Sequence, residues 1–192
     1  MTGILAIAAG TSLFLSGLCL AIFFSTWDER WGRLNDATIA LFAALMVPVA
    51  FAVHERSGSG WFAGTATAAG VVEMLLIAGS SALTALGRLD WRRSARVGAA
   101  GFAGFLVWMA ATVEKALTDG SLPAGLTWFG LLTLAVATVA IGSAIRFVRA
   151  GGLDAIEAGG RPHARTVAPF VVALCCFPVW AVWLGLALRG RG

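Results

Sequence analysis

A chain of 192 residues that is 59% hydrophobic and only 12% charged carries about half the charge of a soluble domain, for which about 25% is usual. With a mean hydropathy of +0.86 it lacks the polar surface of a soluble enzyme, and it is neither a disordered tail nor a disulfide scaffold. The formal charge of +4 does not imply nucleic acid, because the basic residues lie between apolar runs and not on one polar face.

Six apolar runs of about 18 or more residues follow one another along the chain. The first, Gly3 to Thr26, has no positive leader and no small-residue cleavage site before Trp27-Asp28-Glu29-Arg30. A retained span is therefore expected, not a signal peptide. The second runs from Leu34 to Val53, with Asn35-Asp36 expected to cap it and Pro48 inside it. The third, Trp61 to Leu86, contains Glu73. The fourth, Val97 to Val113, carries Gly98, Gly101 and Gly104, which favour close helix packing over phosphate binding. The fifth and sixth run from Leu126 to Phe147 and from Thr166 to Leu188.

Hydrocarbon offers no water to unpaired backbone groups, and a barrel would need alternating apolarity. All six runs are therefore predicted to be helices of a single all-α, polytopic membrane bundle over residues 1–192. Pro48 cannot donate to the Ala44 carbonyl, nor Pro178 to that of Leu174, so kinks are expected in the second and sixth helices. Broken helices line the cavities of many transporters. The loop after the fifth span, with Gly151-Gly152 and Gly159-Gly160 around Leu153 to Ala158, is too short for a domain and is expected to form either one turn of surface helix or nothing ordered.

Orientation follows from the basic residues. Arg30, Arg33, Arg88, Arg92, Arg93, Arg96, Arg146, Arg149, Arg161 and Arg165 fall on one side, against Arg56, Lys115, Arg189 and Arg191 on the other. That bias predicts cytoplasmic first, third and fifth loops and extracytoplasmic N- and C-termini. Trp27, Trp31 and Trp91 at one set of span ends, with Trp61 and Trp128 at the other, suit the membrane interfaces. Trp108, Trp180 and Trp183 lie deeper, and their N–H donors need partners or water.

Every charged residue but one falls in a loop or at a span end. The exception is Glu73, near the middle of the third span, where an acidic group costs about 2.5–3.5 kcal/mol on an insertion scale. At 100° per residue its face carries Ala66, Ala69, Gly70, Ile77, Ser80, Ser81 and Thr84. Small and hydroxyl residues there point Glu73 into the bundle, against a close neighbour or a wet cavity. No Lys or Arg lies at that depth, so the neutral acid is the form the hydrocarbon favours. A protonatable carboxyl at mid-bilayer is what a proton-coupled carrier or a cation site requires. A neutral acid hydrogen-bonded for packing is the structural alternative.

Other chemistry finds little support. His54 and His163 are expected on opposite sides of the membrane, so no metal site and no haem ligand inside a span is indicated. Cys19, Cys175 and Cys176 fall inside apolar runs and read as small hydrophobes. They could share a depth if the first and sixth helices touch. No GxSxG, HExxH or CxxC motif occurs, and neither an enzyme nor a cofactor is indicated.

Two segments occur together: Leu122-Pro123-Ala124-Gly125-Leu126-Thr127-Trp128-Phe129-Gly130 and Pro178-Val179-Trp180-Ala181-Val182-Trp183-Leu184-Gly185-Leu186-Ala187-Leu188. They resemble bacterial six-helix membrane proteins of unknown function in which an LPxGLxWxG turn and a PxWxxWLGxxL ending recur. The resemblance covers about twenty residues, implies six helices and a bacterial inner membrane, and brings no activity or site residues.

The expectation is a small-solute or proton carrier, or a channel-like protein, with a candidate site of Glu73, Ser80, Ser81, Thr84, Pro48 and Trp180. The competing expectation is a noncatalytic membrane partner or assembly subunit. An intramembrane enzyme acting on lipid has no motif behind it. The lipid bilayer is the expected partner, with a homo-oligomer or another membrane protein left open. A hydrated cavity reaching Glu73 would mark a carrier, whereas a packing role would give Glu73 a direct hydrogen-bond partner and no cavity.

Overall fold

The computed structural model describes residues 1–57, 60–152 and 164–190. The loop proposed around Leu153 to Ala158 lies outside the described residues. Six helices occupy the rest: α1 (Thr2–Thr26), α2 (Glu29–Ser57), α3 (Trp61–Ala85), α4 (Trp91–Asp119), α5 (Ala124–Arg149) and α6 (Ala164–Arg189). No strand occurs among the described residues. All six helices are long and apolar enough to cross a membrane, and the chain is a multi-pass membrane protein.

The helices begin and end on local chemistry. The Trp27 N–H bonds the Phe23 carbonyl at the end of α1, with Trp27 in the left-handed region at φ 57°. Asp28 then accepts from the Arg30 N–H at 3.0 Å, and α2 starts there. Consequently Asn35-Asp36 do not cap α2 but lie within it. Asn35 is buried, and its Oδ1 accepts from the Ser16 hydroxyl at 2.7 Å, joining α1 to α2. Ser12, one turn away, donates to the Thr38 carbonyl at 2.7 Å. Asp90 caps α4 by accepting from the Arg92 and Arg93 N–H groups. Gly120, at φ 67°, closes the same helix in a conformation that other residues rarely adopt.

Helices adjacent in the chain pack against each other, and α6 returns to α1, so the bundle closes into a ring. Helices α2 and α4 also touch directly, which sets α3 in the groove between them. The middle is filled by aromatic rings. Phe105 of α4 lies 5.9 Å from Phe42 of α2 and 5.6 Å from Phe177 of α6, measured between ring centroids. Trp108 continues the stack and meets Trp180 edge-on at 6.1 Å. Met46, Met74 and Met109, all fully buried, complete this core.

Prolines do not interrupt the helices: α2 runs through Pro48, and α6 through Pro169 and Pro178. Outward faces are apolar, with Phe51, Leu75, Leu132, Val139 and Leu186 each about half exposed, as hydrocarbon contact requires. Trp61 and Trp128 are exposed at one end of the bundle, and Trp27 and Trp91 at the other.

Seams between helices are narrow because glycines remove side chains where backbones meet. A methyl group on Gly185 of α6 would lie 2.5 Å from the Gly3 carbonyl oxygen of α1. One on Gly79, on the outer face of α3, would meet nothing. Gly185→Ala is expected to lower the unfolding free energy in mixed detergent micelles by about 1–3 kcal/mol. Gly79→Ala, measured in the same titration, should cause no loss.

Candidate functional site

Helix α3 turns Ala66, Thr67, Gly70, Met74, Ile77, Ser80 and Ser81 inward, a face that follows from their helical spacing. Its antiparallel seam with α4 is set by three contacts. Gly70 lies against Trp108, where a methyl group would stand 2.5 Å from the Trp108 Cβ. Glu73 lies across Gly104, where a methyl group would overlap the Glu73 Cγ and come within 3.1 Å of its Cβ and Cδ. Glu73 Oε2 extends to Gly101, 3.1 Å from a methyl group placed there, and Ile77 covers the same glycine from the next turn.

Gly101 and Gly104 thus form a notch that receives the Glu73 side chain. Gly98, one turn earlier, has open space beside it. Helical spacing already placed these glycines on one face of α4. What the sequence did not disclose is that their close-packed partner is the carboxyl itself.

Glu73 Oε2 is fully enclosed and has no hydrogen-bond partner among the described residues. Such a group normally loses about 1–3 kcal/mol relative to one that is satisfied. No hydrogen bond reaches Oε2 from the described residues, and neither of two cavities at the bundle ends opens on it. The described cavities are at the bundle ends. One, of about 320 Å³, lies between Val53, Arg56, Leu122, Pro123 and Leu188, and the other is an open rim from Trp27 to Arg33.

The remaining residues of the candidate site divide. Ser80 and Ser81 are buried on the Glu73 helix. The Ser80 hydroxyl donates to the Ile77 carbonyl at 3.2 Å, and that of Thr84 to the Ser80 carbonyl at 2.9 Å, so both bond their own helix. Pro48 does not join them, because it is exposed on the outer face of α2. Trp180 is buried in a different seam, with its Nε1 facing Gly130 of α5, 3.0 Å from where a methyl group would stand. That N–H also lacks a hydrogen-bond partner among the described residues. Of the candidate residues, Glu73, Ser80, Ser81 and Thr84 thus share α3, while Pro48 and Trp180 lie apart from them.

One residue at the margin carries more than sequence reasoning assigned to it. His54, expected at a solvated boundary, is partly exposed, yet its Nδ1 is enclosed and unpartnered among the described residues. Arg56 beside it donates to the Leu188 carbonyl at 3.1 Å, tying α2 to the end of α6. Cys19 is buried and Cys175 exposed, although α1 and α6 are neighbours. No cluster of three metal-ligating side chains occurs among the described residues.

The two segments singled out by resemblance face each other across the α5–α6 seam. Trp183 rests on Gly125, 3.1 Å from a methyl group placed there, and Trp180 rests on Gly130. Each tryptophan of one segment occupies the space left by a glycine of the other. No family model, curated protein or solved structure matches the chain.

A carboxyl with one oxygen enclosed in an apolar seam is more open to membrane-soluble carbodiimides than to water-soluble ones. Dicyclohexylcarbodiimide is expected to label Glu73 in native membranes, detected by mass spectrometry of the α3 peptide. Glu73→Gln should abolish the label, and a water-soluble carbodiimide should leave Glu73 unmodified.

Proposed function

We propose that the chain is a proton-coupled carrier, or a channel-like protein, of the bacterial cytoplasmic membrane, with Glu73 as the group that takes up and releases the proton. The observation that carries this reading is the enclosed, unpartnered Oε2 of Glu73 in the Gly101–Gly104 notch. Protonated, the side chain fits a dry seam. Ionised, it would place a charge against Gly101 with no cation at that depth, and hydrating it requires α3 and α4 to part. Uptake and release of one proton thereby bias α3 between a closed and an open position.

The setting of α3 supports such movement. Among the described residues it packs only against α2 and α4 and takes no part in the α1–α6 contact. Its ends are flanked by Gly60, in extended conformation, and Gly87, at φ 67°. The basic bias of the loops between α1 and α2, between α3 and α4, and after α5 supports a cytoplasmic position for that end, with both termini outside. A second reading, a noncatalytic membrane partner, is favoured by a different observation: Phe42, Phe105, Phe177 and Trp108 close the centre of the ring.

Reconstituted vesicles holding a pH-sensitive dye and driven by a potassium diffusion potential separate the two readings. Proton entry is expected above that of empty vesicles, reduced to their level by Glu73→Gln and partly kept by Glu73→Asp. Unchanged flux in Glu73→Gln would remove the carrier reading and leave the partner reading standing. For topology, a protease-accessible C-terminal tag should be cleaved from outside intact cells.

A further inference from the structure

Of the three enclosed polar atoms without a partner among the described residues, Trp180 Nε1 belongs to the α5–α6 seam, whereas His54 Nδ1 and Glu73 Oε2 both border α3. The His54 ring rests on the first turn of α3, with Cε1 3.9 Å from a methyl group placed on Gly64. Glu73 lies nine residues further along, about 14 Å at the helical rise of 1.5 Å. Between them α3 presents Thr67 and Gly70, both buried.

The facing helix is equally accommodating. Gly70 on Trp108 and Glu73 on Gly104 fix the antiparallel register, which brings Thr112 of α4 to the level of Thr67. Thr112 is buried and donates to the Trp108 carbonyl at 2.9 Å, leaving its oxygen free to accept. Towards the opposite end the line is blocked, because Ile77 closes over Gly101 immediately beyond Oε2. The polar track from Glu73 leads to His54.

We propose that His54 relays protons between the water at that end of the bundle and Glu73, along the seam of Gly64, Thr67, Gly70 and Thr112. This rests on the reading of Glu73 as a protonatable site. His54 is suited to the task because its ring is partly exposed while one nitrogen is enclosed. A proton taken from water at the exposed edge gives the imidazolium. The Nδ1 proton then passes through water held transiently by the Thr67 and Thr112 hydroxyls to the Glu73 carboxylate. The products are neutral imidazole and neutral acid, with one proton moved and no electron transferred. Reversal of the same steps discharges Glu73.

Other charged groups at that end, among the described residues, are the Met1 amino group, Glu55 and Arg56 of α2, Glu114, Lys115 and Asp119 of α4, and Arg189 of α6, and Arg191 follows in the sequence. Lys115 is paired with Asp119 at 3.4 Å, and Arg56 is held by the Leu188 carbonyl. Helix α3 carries no charged residue besides Glu73.

Rapid mixing of the reconstituted full-length protein into D2O, followed by infrared spectroscopy, reads proton exchange at the Glu73 carboxyl, whose C=O band is identified by its loss in Glu73→Gln. Exchange is expected to slow by about a hundredfold in His54→Gln and to slow also in the nearly isosteric Thr67→Val. Exchange at the wild-type rate in both variants overturns the relay. If Glu73→Gln abolishes vesicle flux while both variants exchange normally, the carrier reading survives and the relay falls. His54-dependent exchange in a protein that moves no protons supports the relay and removes the carrier reading. Absence of any Glu73 carboxyl band overturns both.

Discussion

In a bilayer, helices gain nothing by hiding apolar surface from one another, since lipid is as apolar as their neighbours. What remains is dispersion, which acts only at contact distance, together with interhelical hydrogen bonds such as Ser16–Asn35, and three of the seams come close where a glycine lets another backbone or side chain approach. Gly3 and Gly185 bring α1 onto α6, Gly70 and the Gly101–Gly104 pair bring α3 onto α4, and Gly125 and Gly130 receive tryptophans across the α5–α6 seam. Three of the seams that close the ring are narrow because these positions lack side chains. Its filled aromatic centre is a consequence, since helices drawn this close leave Phe105 within reach of both α2 and α6.

The same closeness makes Glu73 unusual. A carboxyl at that depth in a looser bundle would be met by water or a hydroxyl. Here the aliphatic part of the side chain is pressed into Gly104, and Oε2 ends against Gly101, so packing and desolvation are produced by one contact. In the proposed carrier, a seam that holds the protonated acid and parts around the ionised one would couple protonation to helix position without a counter-charge.

Much of the fold was legible in hydropathy, and the discrepancies have a common cause. The third span, Trp61 to Leu86, matches α3 almost to the residue because its apolar run ends where the helix does. The second and fourth fall short: α2 starts at Glu29, and α4 runs from Trp91 to Asp119. Hydropathy reports the solvent, whereas helix ends report hydrogen bonding, and charged turns such as Glu29 to Arg33 remain helical beyond the hydrocarbon. At the site, periodicity correctly turned Glu73 inward but could not choose its neighbour. Pro48 was nevertheless readable as outward, since Phe42, Met46, Val49 and Val53 mark the inner face of α2 and Pro48 is off that stripe. The Asn35–Ser16 bond was not, because a partner on another helix leaves no mark in local spacing.

Ring closure through α1 and α6 also bears on how the protein is made. Spans emerge in order, and most seams join consecutive helices that can pair as they leave the ribosome. The α1–α6 seam, with Gly3 and Gly10 facing Gly185 and Pro178, joins the first of these six helices to the last. Until α6 arrives, one side of α1 faces lipid with its glycine backbone bare, and the aromatic centre lacks Phe177 and Trp180. The bundle therefore stays an open arc through most of synthesis and acquires its enclosed interior in a single late event.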